Sequence, residues 1–305
     1  MLIPAKVPTS EIIRPAFEDM GVRLYLKRLD RINELVSGNK FFKLKYNLEE
    51  ARRQGKSTLL TFGGAFSNHI YATAAAAKQG GFECIGIIRG EETKPLNPTL
   101  QYAEDAGMRL HYISREEYRK KKQDQFLESL REKFGAFFLI PEGGTNSLAI
   151  KGAAEILGNE DEDFTHVTSS VGTGGTLAGL AKRIQPNQHL LGFSSLKGEF
   201  IHGEISELLD KFHIKPKGEL TIVDNYHFGG YGKFQPELIE FIRKFHYLHQ
   251  IPLDPVYTGK MMYGVIEMIK QGFFPKGSRI LAIHTGGLQG IAGFNSRFNA
   301  SLPSE

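Results

Sequence analysis

Lys40 stands directly after the turn-forming pair Gly38-Asn39 and just ahead of a helix-like run that begins at Leu44. A lysine held in this way and shielded from water can form a Schiff base with a carbonyl compound. Burial or a neighbouring positive charge lowers its pKa and frees the amine as a nucleophile. Taken alone, Gly-Asn-Lys reads first as an ordinary exposed turn. What sets it apart is the set of motifs that follows it along the chain.

The strongest of these is Ser169-Ser170-Val171-Gly172-Thr173-Gly174-Gly175-Thr176-Leu177-Ala178-Gly179. A strand-like run leads in and a helix-like run leads out. Glycines let several N–H groups turn toward one point, and a helix N-terminus adds partial positive charge there, which makes a phosphate cradle. The hydroxyls of Thr173 and Thr176 can donate further bonds; a purely structural turn is the competing reading. The dinucleotide pattern G-x-G-x-x-G is broken by Leu177. The next strand ends Gly192-Phe193-Ser194-Ser195, without the acidic residue that would hold a ribose. The loop therefore suits a phosphate monoester better than a dinucleotide. A second glycine turn, Phe62-Gly63-Gly64-Ala65-Phe66-Ser67-Asn68-His69, opens an Ala-rich helix and is fit for a carboxylate. Here Ser67 and Asn68 are either N-cap residues or groups facing substrate and cofactor. Near the C-terminus, Asp254-Pro255-Val256-Tyr257-Thr258-Gly259-Lys260 and Ile283-His284-Thr285-Gly286-Gly287 complete the set. Upstream of them, Tyr231 sits among glycines in Phe228-Gly229-Gly230-Tyr231-Gly232.

The elements that must position these residues are short apolar runs alternating with helical patterns. Leu24–Leu26, Thr58–Phe62, Cys84–Ile88, Leu110–Ile113, Phe137–Ile140, Thr165–Ser169, Leu190–Phe193 and Ile280–His284 read as strands. Leu44–Gln54, Asn68–Gln79, Leu100–Ala106, Tyr118–Phe134, Leu148–Gly158 and Thr176–Arg183 read as helices. The alternation predicts an α/β chain with mainly parallel sheets flanked by helices. Two changes of texture suggest a division: the stretch from about Lys43 to Ser147 is a self-contained alternation, and a second begins near Phe164.

At 305 residues the chain can bury a large core, and its net charge of +4 is mild. The basic run Arg119–Lys122 is flanked by Glu116, Glu117 and Asp124, and reads as a solvated helix face, not a nucleic-acid footprint. Cys84 is the only cysteine, so there is neither an internal disulfide nor a cysteine-based metal site; it reads as a buried thiol in a reducing compartment. No apolar stretch is long enough to span a bilayer, and the N-terminal residues lack a signal-peptide layout. The expectation is a cytoplasmic protein with no metal, nucleic-acid or membrane partner.

In this order the motifs resemble the pyridoxal-phosphate enzymes of the tryptophan-synthase-β-like fold (fold type II). More narrowly, they are similar to the family of 1-aminocyclopropane-1-carboxylate (ACC) deaminase and D-cysteine desulfhydrase. That family carries G-N-K-x-x-K-L, G-G-x-x-S-N, a T-G-G-T-type loop, D-P-V-Y-x-G-K and H-x-G-G, matched here by Gly38–Leu44, Gly63–Asn68, Thr173–Thr176, Asp254–Lys260 and His284–Gly287. The resemblance implies a two-domain molecule, with a small domain at 44–150 and a large cofactor-binding domain made of 1–43 and 151–305. It implies that Lys40 holds pyridoxal 5'-phosphate covalently, that Lys43 is a nearby cation and that Asn68 bonds the ring hydroxyl oxygen. The phosphate would lie on Gly172, Thr173, Gly174, Gly175 and Thr176. Ser67, Tyr231 and Tyr257 would line the pocket for a small amino-acid substrate and share acid–base or nucleophilic work. Family members are commonly homodimers.

Two positions separate the activities. ACC deaminases typically place glutamate after the tyrosine of D-P-V-Y and leucine in H-x-G-G; this chain has Thr258 and Thr285. A threonine hydroxyl bonds the ring nitrogen without forcing it to be charged, which is adequate for removing an α-proton and expelling a thiolate. Both departures resemble the desulfhydrase branch, so the expected reaction is α,β-elimination giving pyruvate, ammonia and sulfide. The alternatives are ACC deamination to 2-ketobutyrate and ammonia, and a non-catalytic binding protein. Phe41, Phe42 and Ala65-Phe66 depart from the residues common in the family and bear on the pocket.

Overall fold

The strand-like runs pair into two separate sheets in the computed structural model, which describes residues 2–304. The strands are β1 (Thr9–Ile12), β2 (Arg23–Arg28), β3 (Thr58–Gly64), β4 (Glu83–Arg89), β5 (Met108–Ile113), β6 (Phe138–Ile140), β7 (His166–Val171), β8 (His189–Ser194), β9 (Glu219–Val223) and β10 (Arg279–His284). The larger sheet has the order β1-β2-β10-β7-β8-β9 and the smaller β5-β4-β3-β6. Every pairing is parallel except that of β1 with β2.

Alternation along the inner strands shows that both faces of the larger sheet are covered. Leu281 and Ile283 of β10 and Leu190 of β8 enter one core, whereas Ile280, Ala282, Leu191 and Phe193 enter another. Strands buried on both faces read as continuous apolar runs, as parallel sheets require. Cys84 lies in the first core, where burial pushes its thiol up to about 12. Among the described residues no helix is long and apolar enough to cross a membrane.

Several features differ from the sequence reading, which named no helix beyond Arg183, where the structure has Phe200–Lys211, Pro236–His249, Thr258–Lys270 and Gly290–Phe298. The first long helix begins at Asn39 instead of Leu44, so Lys40 and Lys43 both lie near its start. The predicted helix over 118–134 is two helices, Arg115–Arg119 and Asp124–Phe134. Ser114 accepts from the Glu117 amide (3.1 Å) and starts the first early, so Arg119–Lys122 straddles a helix end and a turn. β1 and β9 carry no clear apolar alternation and were not anticipated.

Two helices link the sheets. Asn39–Arg53 leads from the larger sheet to the smaller, and Ser147–Ala154 leads back. They lie side by side, close enough that a Cβ at Gly152 would strike the Phe42 carbonyl. Asn146 donates to Asn47 (2.7 Å) and Lys45 pairs with Glu155 (2.7 Å), joining the crossings. Phe41 and Phe42 are buried in the core beneath the first helix, edge to face at 5.6 Å, and so serve packing.

Candidate active site

Lys40 is positioned by the end of β10. Gly38 has φ of 68°, a left-handed value that favours glycine, and a Cβ there would strike the Thr285 carbonyl oxygen. That same oxygen accepts from the Asn39 amide at 3.1 Å. The Asn39 side chain then bridges outward, donating to Thr176 Oγ1 (2.8 Å) while its Oδ1 accepts from Lys40 Nζ (3.1 Å). Burial lowers the Lys40 pKa to about 8, with Asp254 opposing the fall. An amine with that pKa is partly neutral near physiological pH and can act as nucleophile or base.

Lys43 identifies the charge of the ligand that the site suits. It is 2 % exposed, and burial together with Lys40 pushes its pKa well below the usual lysine range. Its Nζ donates to Thr145 Oγ1 (3.3 Å), and a Cβ at Gly175 would stand 2.8 Å from it. Gly175 opens helix Gly175–Arg183. A buried cation beside a helix N-terminus, with a second lysine nearby, is unfavourable until an anion arrives. Thr145 and Thr173 approach to 2.7 Å across the same space. The residues thus fit a phosphate, which Lys43, Thr145, Thr173, Thr176 and the amides of 172–176 would hold. Thr145 directly follows a tight Glu142–Gly144 turn that comes after β6 and was missed by the sequence reading. The run Gly143-Gly144-Thr145-Asn146 was its only signal.

Tyr257 packs its ring against Gly172, where a Cβ would stand 3.1 Å away, and so borders the cradle. Tyr231, half exposed, meets Tyr257 edge to face at 6.0 Å. Burial raises the pKa of both phenols, that of Tyr257 strongly, and each keeps its proton at neutral pH. Asp254 organises the turn before helix Thr258–Lys270: its carboxylate accepts from the amides of Val256 (2.9 Å), Tyr257 (2.7 Å) and Thr258 (2.9 Å). Thr258 also donates its hydroxyl to Asp254 and is completely buried. Thr285 lies within 3.1 Å of Ser170 Oγ. His284 is structural: Nε2 donates to the Pro252 carbonyl (2.8 Å) and Nδ1 accepts from the Gly286 amide (3.2 Å).

The smaller sheet supplies the opposite wall. Ser67 caps helix Asn68–Gly80, its Oγ accepting from the amides of His69 (3.2 Å) and Ile70 (3.3 Å). Asn68 reaches across to the Gly286-Gly287 turn, with Nδ2 2.7 Å from where a Cβ of Gly287 would be. It thereby spans from the smaller sheet to the turn that follows β10. Phe66 turns away toward Gly293, under the guanidinium of Arg297 at 5.5 Å. Arg89, at the carboxyl end of β4, stacks over Tyr118 at 5.5 Å, and its charge reaches Tyr231. Tyr118 donates to Glu142 (2.8 Å), which also pairs with Lys121 (3.3 Å). Arg89 and Tyr118 were not singled out from sequence because neither belongs to a glycine-rich motif, and Glu142 opens the Glu142–Gly144 turn that the sequence reading missed.

Comparison with known proteins agrees with this geometry. Residues 7–286 match the family model described as "Pyridoxal-phosphate dependent enzyme". A Pyrococcus horikoshii protein, provisionally named a 1-aminocyclopropane-1-carboxylate deaminase, is 31% identical over 99% of this chain and 95% of its own length. The mitochondrial bifunctional D-cysteine desulfhydrase/1-aminocyclopropane-1-carboxylate deaminase of Arabidopsis thaliana is 31% identical over 89% of this chain and 74% of its own. A crystal structure of an ACC deaminase homologue superposes with a TM-score of 0.81 at 29% identity, covering 97% of this chain and 94% of that one. The fold is that of the type II pyridoxal-phosphate enzymes, and the chain belongs to the pyridoxal-phosphate-dependent family of ACC deaminase and D-cysteine desulfhydrase.

Proposed function

We propose that this enzyme catalyses α,β-elimination from a small amino acid such as D-cysteine, releasing pyruvate, ammonia and sulfide. Pyridoxal phosphate, when bound, supplies the electron sink that lets a bond at the substrate Cα break. The chain's own part is binding, orientation and proton movement. Lys43, Thr145, Thr173 and Thr176 hold the phosphate, and Asn68 anchors the far edge of the ring. Lys40, with its amine near pKa 8, takes the proton from Cα. Tyr231 and Tyr257 keep their protons, so they act as donors toward the leaving group or product and not as the base. The N-terminal end of helix Asn68–Gly80 receives the substrate carboxylate, through its partial positive charge and the Asn68 amide, since the amides of His69 and Ile70 are taken by Ser67.

The observation that carries elimination over ring opening is the absence of a carboxylate at position 258. A second reading, ACC deamination, is favoured by the bond from Thr258 to Asp254. With its one hydroxyl proton committed to that carboxylate, Thr258 presents only lone pairs, and lone pairs bond a ring nitrogen that carries a proton. Asp254 would then stand one hydroxyl away from the role of the missing glutamate. The names of the relatives support both substrates equally.

The mass of the keto acid formed from equimolar D-cysteine and ACC separates the readings. Pyruvate supports elimination. 2-Ketobutyrate overturns it in favour of ring opening, and Thr258→Glu with Thr285→Leu should then raise ACC turnover. Neither product would reject both. The same reading takes residues 44–150 as a small domain and 1–43 with 151–305 as a large one, supported by the confinement of β3 to β6 to the former. It also takes the enzyme to be a cytoplasmic homodimer, which sedimentation equilibrium of the purified protein would check for assembly.

A further inference from the structure

We propose that Lys260 is a positioning residue that ties the segment carrying Tyr231 to the helix that follows Tyr257. The proposal rests on the reading of the two tyrosines as working groups. Lys260 lies on the first turn of helix Thr258–Lys270 and is 2 % exposed. Its Nζ donates to the His227 carbonyl at 2.9 Å and to the Gly230 carbonyl at 2.8 Å. Asp254 acts on it only through space. Ordering a lysine and burying its amine are both unfavourable, so an amine committed to two main-chain acceptors must secure something in return.

What it secures is a segment with little else to hold it. Residues 227–233 form neither helix nor strand. Phe228, Gly229, Gly230 and Gly232 have φ of 51°, 93°, 108° and 66°, a left-handed path that does not support itself as regular structure. The other hydrogen bonds of the segment's main chain are internal: Gly229 N to His227 Nδ1 (2.9 Å), Gly230 N to the His227 carbonyl (3.0 Å) and Lys233 N to the Gly230 carbonyl (3.1 Å). Among the described residues, Lys260 alone hydrogen-bonds the segment's main chain from outside; the Tyr231 side chain bonds that of Tyr257. Phe228 adds an apolar anchor against Tyr263, at 4.9 Å. The two carbonyls that Lys260 grips bracket the turn immediately before Tyr231. Lys260 is also three residues beyond Tyr257, so one side chain sets both tyrosines in a common frame.

The test uses cofactor-loaded enzyme with Lys260→Met, which keeps the length and removes the donors, and Lys260→Arg, which restores donors. Hydrogen exchange of amides 227–233 should quicken by about tenfold or more in Lys260→Met, the scale expected for losing such bonds. Exchange in helix Pro236–His249 should stay unchanged, and Lys260→Arg should recover part of the protection. Unchanged exchange at 227–233 in Lys260→Met overturns the proposal. A Lys260→Met protein that fails to fold passes the question to Lys260→Gln, whose shorter amide should give the same quickening. The coupling to Tyr231 is read from kcat/KM in a double-mutant cycle with Tyr231→Phe. If Lys260 works through Tyr231, Lys260→Met adds less than about twofold in the Tyr231→Phe background. Effects that multiply overturn that coupling. Quickened exchange with no effect of Tyr231→Phe on turnover would sustain the tie and reject the role given to Tyr231.

Discussion

Replacing Lys43 with methionine should have opposite effects on the empty and the loaded protein. In the empty protein the Lys43 amine has one hydrogen-bond partner, Thr145, and lies beside the start of helix Gly175–Arg183. Its pKa is depressed by burial and by Lys40, so the folded state binds its proton less readily than the unfolded chain. That penalty is full below the folded pKa and fades as pH rises toward the ordinary lysine value of 10.5. Methionine removes it. The apparent melting temperature of the empty protein at pH 7 should therefore rise, by roughly 2 °C for each kcal/mol recovered in a chain of this size. With phosphate present, the same ammonium becomes a charge-assisted donor worth about 1.5–3 kcal/mol. At about 1.4 kcal/mol per decade, Lys43→Met should weaken pyridoxal phosphate binding by roughly 10- to 150-fold. Equilibrium dialysis measures this, and pyridoxal, which lacks the phosphate, provides the control because its affinity should hardly change. A variant that melts no higher when empty and binds pyridoxal phosphate as well as the parent refutes the assignment of Lys43 to an anion.

Further outcomes follow from the same geometry. Lys40→Ala should abolish the borohydride-reducible adduct with pyridoxal phosphate, checked by intact mass. In the parent, the rate of adduct formation should rise with pH through a midpoint near 8 and level off above it, since only the neutral amine attacks. Asp254→Asn should shift that profile to lower pH, because Asp254 raises the Lys40 pKa. It should also cost about 1–2 kcal/mol of stability through the lost cap on helix Thr258–Lys270, read as a lower melting temperature. Gly38→Ala should be destabilised by roughly 2 kcal/mol or more, since it adds a left-handed alanine and a clash with the Thr285 carbonyl. Soluble yield and circular dichroism would show it.

Much of the cofactor side was legible in the sequence because glycine turns announce themselves. Lys40, the 172–176 loop and Asp254–Lys260 lie where strands end and helices begin, and those junctions have a composition as well as a geometry. The opposite wall was not legible. Arg89 and Tyr118 look like any charged strand end and any amphipathic helix residue until β4 is seen paired with β3, which sets Arg89 opposite Gly64. Thr145 enters the site only because the turn after β6 folds over Thr173. The helix start at Asn39 was misjudged because Gly38-Asn39-Lys40 has the composition of an exposed turn and Lys43 looks solvated. The burial of Lys43 is decided by the glycine loop at Gly175, far along the chain. The role given to Thr258 by type alone also shifted, because its hydroxyl proton is already committed to Asp254.

The two crossing helices have a consequence for how such an enzyme can change. All four strands of the smaller sheet lie between them in sequence, and the crossings adjoin at Gly152 and Phe42. The intervening chain is therefore a closed excursion that leaves and rejoins the larger sheet at nearly one place. Rebuilding that excursion requires no rethreading of the strands that present the 172–176 loop and Thr285. Lys40 and Lys43, on the outgoing helix, remain with the stationary part. Mutation can thus redraw the wall bearing Arg89 and Tyr118 without disturbing the strands of the larger sheet, provided Asn68 and Thr145, the cofactor contacts carried on the excursion, stay in place: a partition of the molecule into a fixed chassis and an exchangeable face.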